Sequence, residues 1–333
     1  MREIGAFQSS TSKKRYWIII GALAVAALLF TAGLLAYGNP MEFGSTGYWL
    51  IAQRRMNAVI AMAIVAVCQA TATVAFQTVT NNRILTPSIM GFESLYVAIH
   101  TSTVYFFGAA GLINAHTLQM FVIQLGLMIG LSLVLYTWLL AGNNPDMHAM
   151  LLVGIVLGGG LGAVSTFMQR MLTPSEFDVL TARLFGSVNN ADPEYYPLAI
   201  PLVIVAAGLL IFNSRALNVL SLGRDVSMNL GVDHKKHAIY TLVLVAILIA
   251  VSTALVGPMT FLGFLVATLA YQAADTYDHR YVFPMAMLLG YCILSGAYFV
   301  MNHIFYAQGV VSIIIELVGG LTFLIVILRK GRL

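Results

Sequence analysis

Charge is scarce in this sequence, since only 9% of the 333 residues are charged. A soluble protein of this length would need many more charges to cover its surface, which argues against a soluble fold. Cysteine is scarce as well: Cys68 and Cys292 lie far apart in apolar stretches, so neither a disulfide framework nor a metal cluster is indicated. The sequence contains no Walker A motif, and we do not expect the chain to hydrolyse ATP itself.

Long apolar runs are abundant, with 59% hydrophobic residues and a mean hydropathy of +0.88. About 20 apolar residues span a bilayer, and breaks at Gly, Pro and charged residues divide the chain into ten predicted transmembrane helices. We predict an all-α polytopic membrane protein with a tail at 1–15 and a single transmembrane domain at 16–333. The predicted helices are 16–37, 56–79, 87–107, 117–140, 148–171, 196–213, 238–256, 259–273, 281–301 and 309–328, and Ser175 is predicted to cap a short surface helix.

The basic residues predict the orientation of these helices. An even number places both termini on one side, and basic residues concentrate in cytoplasmic loops. With cytoplasmic termini, four of the 17 Lys and Arg residues lie outside: Arg54, Arg55, Arg170 and Arg183. The other thirteen lie in the cytoplasm: Arg2, Lys13, Lys14, Arg15, Arg83, Arg215, Arg224, Lys235, Lys236, Arg280, Arg329, Lys330 and Arg332.

A polar, basic segment, which we call the handle (residues 215–237), separates two apolar blocks and is predicted to be cytoplasmic. Its Leu222, Val226 and Leu230 have the spacing i, i+4, i+8, which predicts an apolar stripe on a short helix bracketed by Gly223 and Gly231. Such a helix can enter a groove on a partner protein or rest on lipid headgroups. The residues alone favour neither alternative.

The segment 75–94 leaves the membrane and re-enters it. Pro87 opens the next predicted helix, which is an ordinary position for proline. Gly91 allows close backbone approach, so the alternative is that this re-entry forms part of a pathway between the two membrane faces.

Gln77, Asn82, Pro87 and Gly91 match the spacing of the Q, N, P and G in the pattern Q-x4-N-P-L-A-x-P-x-x-L-G. Similar segments follow in order: LLVGIVLGGGLGAVSTFMQ, LFGSVNN, LGRDVSMNLGV, GPMTFLGFLVA and DHRYVFPMAMLLG. This ordered set resembles the FecCD-type permeases of ABC importers for iron chelates and vitamin B12. The resemblance covers nearly the whole chain after residue 38 and implies a BtuC-like type II importer permease fold.

Some positions depart from the family pattern. They lie in the N-P-L-A box, in the G-P-I-x-F-V-G-L-x-x-P-H-x-x-R element and in the G-x-P-F-F element. The residues that differ are Arg83, Ile84, Leu85, Ala267, Thr268, Tyr271, Leu321 and Thr322. These changes are similar to those of the branch that handles catecholate or petrobactin-like ferric siderophores, so the resemblance implies a ferric siderophore rather than vitamin B12.

The resemblance also implies roles for individual residues. The family's loop between the sixth and seventh helices docks into a cleft on the ATPase, and residues 221–232 occupy that place here. The family's outward-facing arginines pair with acids of the substrate-binding protein, which implies docking by Arg54 and Arg55, although Ala58 replaces a second basic residue. The expected coupling residues are Leu222, Gly223, Arg224, Val226, Leu230 and Gly231, and the expected pathway residues are Gln77, Asn82, Pro87, Gly91, Gly257, Pro258 and Gly263.

The partners follow from the same resemblance. They are a cytoplasmic ATPase dimer that carries ATP and Mg, a second permease subunit, either paralogous or identical, and an extracytoplasmic siderophore-binding protein. We expect a multi-pass location in the bacterial cytoplasmic membrane, with both termini cytoplasmic, contact with membrane lipid, and no nucleic-acid partner. No cofactor or metal is expected in this chain, since His234 and His237 flank two lysines in an exposed loop.

Two acids within the predicted helices motivate a rival function, because charges at membrane depth are costly and often functional. Glu316 is near the centre of its helix, which suggests either a proton-coupled secondary transporter or an interhelical hydrogen bond. Glu93 is about two turns from the inner end of its helix and can face water there. A membrane scaffold or receptor that transports nothing is a further alternative.

Overall fold

The computed structural model describes residues 5–7, 9–114, 117–140, 147–304 and 311–330. These ranges contain α-helices and short 3-10 turns but no strand, which confirms the all-α prediction. The helices are α1 (Ser10–Ala36), α2 (Thr46–Val79), α3 (Phe92–Asn114), α4 (Leu118–Leu140), α5 (Met147–Gln169), α6 (Pro174–Leu184), α7 (Tyr196–Phe212), α8 (Ser214–Leu220), α9 (Arg224–Asn229), α10 (His234–Val256), α11 (Leu262–Ala274), α12 (His279–His303) and α13 (Val311–Lys330).

Ten of the described helices, α1–α5, α7 and α10–α13, follow the order of the ten predicted transmembrane helices. Within the described ranges, six helices are long and apolar enough to cross a membrane: α1, α2, α5, α7 with its preceding turn, α10 and α12. Shorter apolar stretches lie in α4, α11 and α13, and α3 is kinked at Gly108 (φ 70°). The predicted cytoplasmic residues Arg2 and Arg332, and residues 309–310 of the last predicted helix, lie outside the described residues.

Helix caps move several boundaries away from the predicted ones. α2 begins at Thr46 instead of residue 56, because the Ser45 side chain accepts a hydrogen bond from the backbone N–H of Tyr48. α1 begins at Ser10 instead of residue 16, since Ser9 caps it in the same way. The prediction of Ser175 as a cap was wrong: Thr173 caps α6 and forms a capping box with Glu176.

α2 and α10 form the centre of the helix bundle. In their most apolar windows 83% and 78% of the residues are buried, against 11% in α1 at the periphery. α2 packs against α7, α10, α11 and α12. Small buried residues such as Ala66, Ala70 and Ala72 allow these close approaches, as is usual between transmembrane helices.

α11 is short for a transmembrane helix. Its 13 residues span about 20 Å at 1.5 Å per residue, whereas a bilayer core is about 30 Å thick. Its first turn lies deep in the bundle, since Gly263 packs against Thr73 and Gln69 of α2. The non-helical residues 257–261 that precede α11 therefore bring irregular backbone into the bundle, where protein surrounds it.

Candidate functional site

The loop after α2 is shaped by Gln77 and Asn82, two predicted pathway residues. The Gln77 Nε2 donates a hydrogen bond to the backbone oxygen of Arg83 (2.8 Å), and the Asn82 Oδ1 accepts one from the backbone N–H of Ile84 (2.9 Å). Asn81 takes a left-handed conformation (φ 48°) between them, which asparagine adopts more easily than most residues. Both predicted residues thus hold the loop that ends α2.

Arg83 lies between two aromatic rings. The centre of its guanidinium is 4.4 Å from the ring centroid of Tyr271 and 5.0 Å from that of Tyr277, which are cation–π distances. Tyr271 follows α11's midpoint and Tyr277 lies in the loop between α11 and α12. Two positions that depart from the family pattern, 83 and 271, are therefore in direct contact.

A chain of polar contacts joins the handle end of the bundle to α2. The His279 Nδ1 is 2.5 Å from the Asn218 Oδ1 and donates to it, because an amide oxygen only accepts. The His279 Nε2 is 2.6 Å from the Thr78 Oγ1 on α2. His279 is only 2% exposed, so these contacts are buried. No role was predicted for Thr78, Asn218 or His279 from the sequence, although a histidine at the start of an apolar helix is a detectable signal.

Asp278 extends this chain to the neighbouring helix end. The Asn218 Nδ2 donates to its Oδ1 (3.0 Å), and the Arg280 Nη2 donates to its Oδ2 (2.6 Å). Partial burial alone would raise the pKa of Asp278, but the hydrogen bonds from Arg280 and Asn218 and the Arg280 charge lower it to about 2. The carboxylate is therefore ionised at neutral pH.

The handle contains two short helices: α9, which was predicted, and α8, which was not. Gly223 (φ 90°) caps the start of α9 and Gly231 (φ 79°) follows its end, so the two glycines bracket a helix of six residues, as predicted. The predicted continuous stripe was wrong, because Leu222 precedes α9 and Leu230 follows it. Leu222, Val226 and Leu230 are nevertheless all exposed, between 45% and 59%. Buried Leu217 and Leu220 anchor α8 to the core.

A cavity of about 750 Å³ lies between the α2 loop, the α11–α12 loop and the handle. It places two predicted pathway residues, Gln77 and Asn82, beside a predicted coupling residue, Leu222. The lining residues are Ala6, Gln77, Thr78, Asn81, Asn82, Arg83, Asn218, Ser221, Leu222, Tyr271, Thr276, Tyr277, Asp278 and His279.

The other predicted pathway residues lie at close backbone contacts. A Cβ on Gly158 of α5 would be 3.0 Å from the Cα of Gly91, which has φ 92° and follows the 3-10 turn that Pro87 opens. A Cβ on Gly186 would be 2.1 Å from the backbone oxygen of Pro258. None of these residues lines the cavity. Pro87 and Gly91 lie at the turn before α3, Gly257 and Pro258 in the irregular segment before α11, and Gly263 in the first turn of α11.

The prediction that Glu93 faces water was wrong. Its Oε1 is buried, and its Oε2 accepts a hydrogen bond from the Thr260 Oγ1 (2.7 Å) in the irregular segment. Glu316 is half-buried on α13, one turn before glycines that contact Phe261 of the same segment. Both acids therefore lie near residues 257–261.

The predicted docking arginines differ in their contacts. Arg55 donates to the backbone oxygens of Leu34 (3.2 Å), Tyr37 (2.8 Å) and Gly38 (3.1 Å), at the end of α1. It therefore caps α1, whereas Arg54 is exposed at the same end of the bundle. A docking role remains a prediction for both, and Arg54 has the side chain available for it.

The described helices, several of them long and apolar enough to cross a membrane, pack around α2 and α10, which defines a polytopic membrane protein. The FecCD transport family matches residues 17–329. The chain is 56% identical over 332 residues to the petrobactin import system permease protein FatC of Bacillus anthracis, covering 100% of this chain and 94% of that relative. It is 37% identical over 312 residues to the petrobactin import system permease protein YclO of Bacillus subtilis (strain 168), covering 93% and 97%.

The fold is similar to that of a metal-chelate type ABC transporter solved in an inward-facing conformation. The TM-score is 0.78 at 21% sequence identity, over 94% of this chain and 99% of that chain. The chain belongs to the FecCD transport family, which confirms the resemblance inferred from its motifs. The comparisons give no support to the proton-coupled carrier.

Proposed function

We propose that the chain is the permease subunit of an ABC importer that moves a ferric siderophore of the petrobactin class across the bacterial cytoplasmic membrane. The observation that carries this proposal is the 56% identity to the petrobactin import permease FatC over the full chain. ATP and Mg belong to a separate cytoplasmic ATPase dimer, and this chain carries no cofactor. An extracytoplasmic binding protein delivers the siderophore, and a second permease subunit, paralogous or identical, completes the pathway.

The proposed mechanism is alternating access, in which the ATPase moves the handle and the handle moves α2. Both termini and the handle are cytoplasmic in this scheme. The contact chain from Asn218 through His279 to Thr78 supports it, because it joins α8 rigidly to the inner end of α2. A shift of the handle would then reach the loop held by Gln77 and Asn82, and the pathway would continue along Gly91 and residues 257–263.

The substrate is tested by uptake of radio-iron-labelled petrobactin. The chain is expressed with its ATPase, binding protein and sister permease in cells that lack their own petrobactin permeases. We expect uptake that disappears when the ATPase carries an inactivated catalytic site. Uptake that persists with the inactive ATPase would contradict ABC transport, and no uptake with the intact system would contradict the substrate.

The coupling role is tested by Leu222→Asp and Leu230→Asp, which place a charge on the exposed apolar surface of the handle. We expect both variants to insert normally but to lose ATPase association and uptake. Met228→Asp is the matched control, since Met228 is 56% exposed but lies about 200° around α9 from Val226. Intact association and uptake in Leu222→Asp would refute the coupling role.

A further inference from the structure

We propose that the N-terminal segment is a strap (residues 5–7 and 9–12) that positions the loop between α11 and α12 for coupling to the handle. This inference rests on the proposed function, in which movement of the handle reaches α2. It gives a role to residues that were predicted to form only a cytoplasmic tail. It also adds a second connection between the handle and the α2 loop.

Two hydrogen bonds tie the strap to this loop. The Ser12 Oγ, in the first turn of α1, donates to the Asp275 Oδ2 (2.8 Å), and the Thr276 Oγ1 donates to the backbone oxygen of Ala6. The bonded residues are 263 and 270 positions apart in the chain. Asp275 takes a left-handed conformation (φ 48°) where α11 ends, so the strap holds the loop at the point where it leaves the helix.

Aromatic packing anchors the strap beside these bonds. The ring centroid of Phe7 is 4.7 Å from that of Tyr281 and 5.4 Å from that of Tyr16. Tyr16 is 2% exposed, and its hydroxyl donates a hydrogen bond to the backbone oxygen of Tyr281 (3.1 Å). Aromatic pairs at such distances contribute more than the area that they bury. The three rings therefore join the strap, α1 and the first turn of α12.

The loop that the strap holds also contacts the handle and the α2 loop. The Tyr277 ring faces the guanidinium of Arg83 in the α2 loop, with 5.0 Å to the ring centroid. The Asp278 Oδ1 accepts a hydrogen bond from the Asn218 Nδ2 of α8 (3.0 Å). Of the four residues 275–278, two thus contact the strap, one contacts the α2 loop and one contacts the handle.

The strap limits how far this loop can yield when the handle moves. A movement of the handle pulls on Asp278 through Asn218. A loop that rotates freely about residues 275 and 276 would absorb the movement, because a segment with few contacts opens easily. Since the strap holds both residues, the movement instead reaches Tyr277 and the α2 loop stacked on it. This route does not use the histidine contact to α2.

The coupling role is tested with the double variant Ser12→Ala, Thr276→Val, which removes both hydrogen bonds, and with Phe7→Ala, which leaves the loop's own side chains intact. Ser10→Ala is the matched control, because Ser10 lies in the same turn of α1, is exposed and forms no side-chain hydrogen bond with the described residues. The complete transporter is placed in proteoliposomes, and uptake of iron-labelled petrobactin, ATP hydrolysis and the melting temperature are measured. We expect both strap variants to take up about threefold to tenfold less iron per ATP hydrolysed. The melting temperature of the double variant should stay within about 2 °C of that of the unaltered chain.

Hydrogen exchange measures the positioning of the loop without requiring transport. The backbone N–H of His279 donates to the Asn218 Oδ1 (3.0 Å), directly after the loop. We expect this amide to exchange about threefold to tenfold faster in both strap variants, as the loss of one or two hydrogen bonds implies, and at an unchanged rate in Ser10→Ala.

Unchanged exchange at His279 would overturn the strap. Faster exchange with unchanged iron uptake per ATP would overturn its role in coupling, and so would a loss of uptake that only follows a fall in melting temperature. An unaltered transporter without ATP-dependent uptake would contradict the proposed function. The exchange rates would then still confirm or refute the positioning of the loop.

Discussion

Gly263 packs so closely against α2 that adding one methyl group should destabilise the bundle. The Cβ of an alanine at this position would be 2.2 Å from the Thr73 Oγ1 and 3.2 Å from the Gln69 Oε1. Non-bonded heavy atoms prefer about 3.5 Å or more, so either the Thr73 side chain must rotate or α11 must move away from α2 by roughly 1 Å. Overpacking of this kind costs about 1–3 kcal/mol, and the better helix propensity of alanine recovers less than about 1 kcal/mol.

The loss of stability in Gly263→Ala can be measured by thermal unfolding with the chain's own cysteines as the probe. Its two cysteines, Cys68 on α2 and Cys292 on α12, are both free and buried, so a thiol-reactive fluorophore labels them only on unfolding. We expect the melting temperature of Gly263→Ala to fall by on the order of 5 °C. Gly208→Ala is the control, since a Cβ there would meet no atom within 4 Å.

A second substitution identifies the cause of the loss. The Thr73 Oγ1 is buried without a hydrogen-bond partner among the described residues, so Thr73→Ala alone should cost little. The double variant Gly263→Ala, Thr73→Ala should recover part of the lost stability, because it removes the contact with the Thr73 Oγ1. The recovery should be incomplete, since the Cβ of residue 73 remains 3.2 Å from the added methyl group. An unchanged melting temperature in Gly263→Ala, or a loss matched by Gly208→Ala, would refute the close contact.

Two further predictions concern the ends of the bundle. Arg55→Ala removes the hydrogen bonds to the end of α1 and should lower the free energy of unfolding by about 2 kcal/mol, measured by thermal unfolding. Arg54→Ala, at an exposed position, should lower it by less than about 0.5 kcal/mol but weaken association with the binding protein. Equal losses of stability in the two variants would contradict the capping role of Arg55. Asp278→Asn should lower the melting temperature at pH 7. Because the folded pKa of Asp278 is about 2, below its unfolded value, this stabilisation is complete above about pH 5 and disappears as the pH falls to 2 and below. A difference from the unaltered chain that is as large at pH 2 as at pH 7 would contradict it.

The order of the transmembrane helices was predictable because apolar runs of sufficient length have few other solutions in a membrane protein. Their ends were less predictable. α2 starts at Thr46, before the two arginines after which the predicted helix began, because Ser45 caps it there and a helix can continue past charged residues. The i, i+4, i+8 spacing in the handle indicated one apolar stripe, but Leu222 lies before Gly223 (φ 90°) and Leu230 caps the end of α9, so only Val226 lies within that helix.

The predicted site residues were located by motif, but their partners came from distant parts of the chain. Asn218 meets His279 across 61 residues, and Glu93 meets Thr260 across 167. Periodicity carries no information about such contacts, which depend on how the helices pack. Glu93 was predicted to lie near water from its distance to the helix end alone. That distance carries no information about residues 257–261, which pack beside Glu93 in the folded bundle.

The glycines around the irregular segment before α11 restrict how this family's fold can acquire new substrates. The backbone of this segment packs directly against neighbouring elements, since Pro258 contacts Gly186 in the loop after α6 and Phe261 contacts Gly319 of α13. A position that has no room for a methyl group cannot be varied to suit another ligand. Substitutions that change selectivity are therefore expected at residues with free side-chain volume, such as Arg83 and Tyr271, which line the cavity at the handle end of α2.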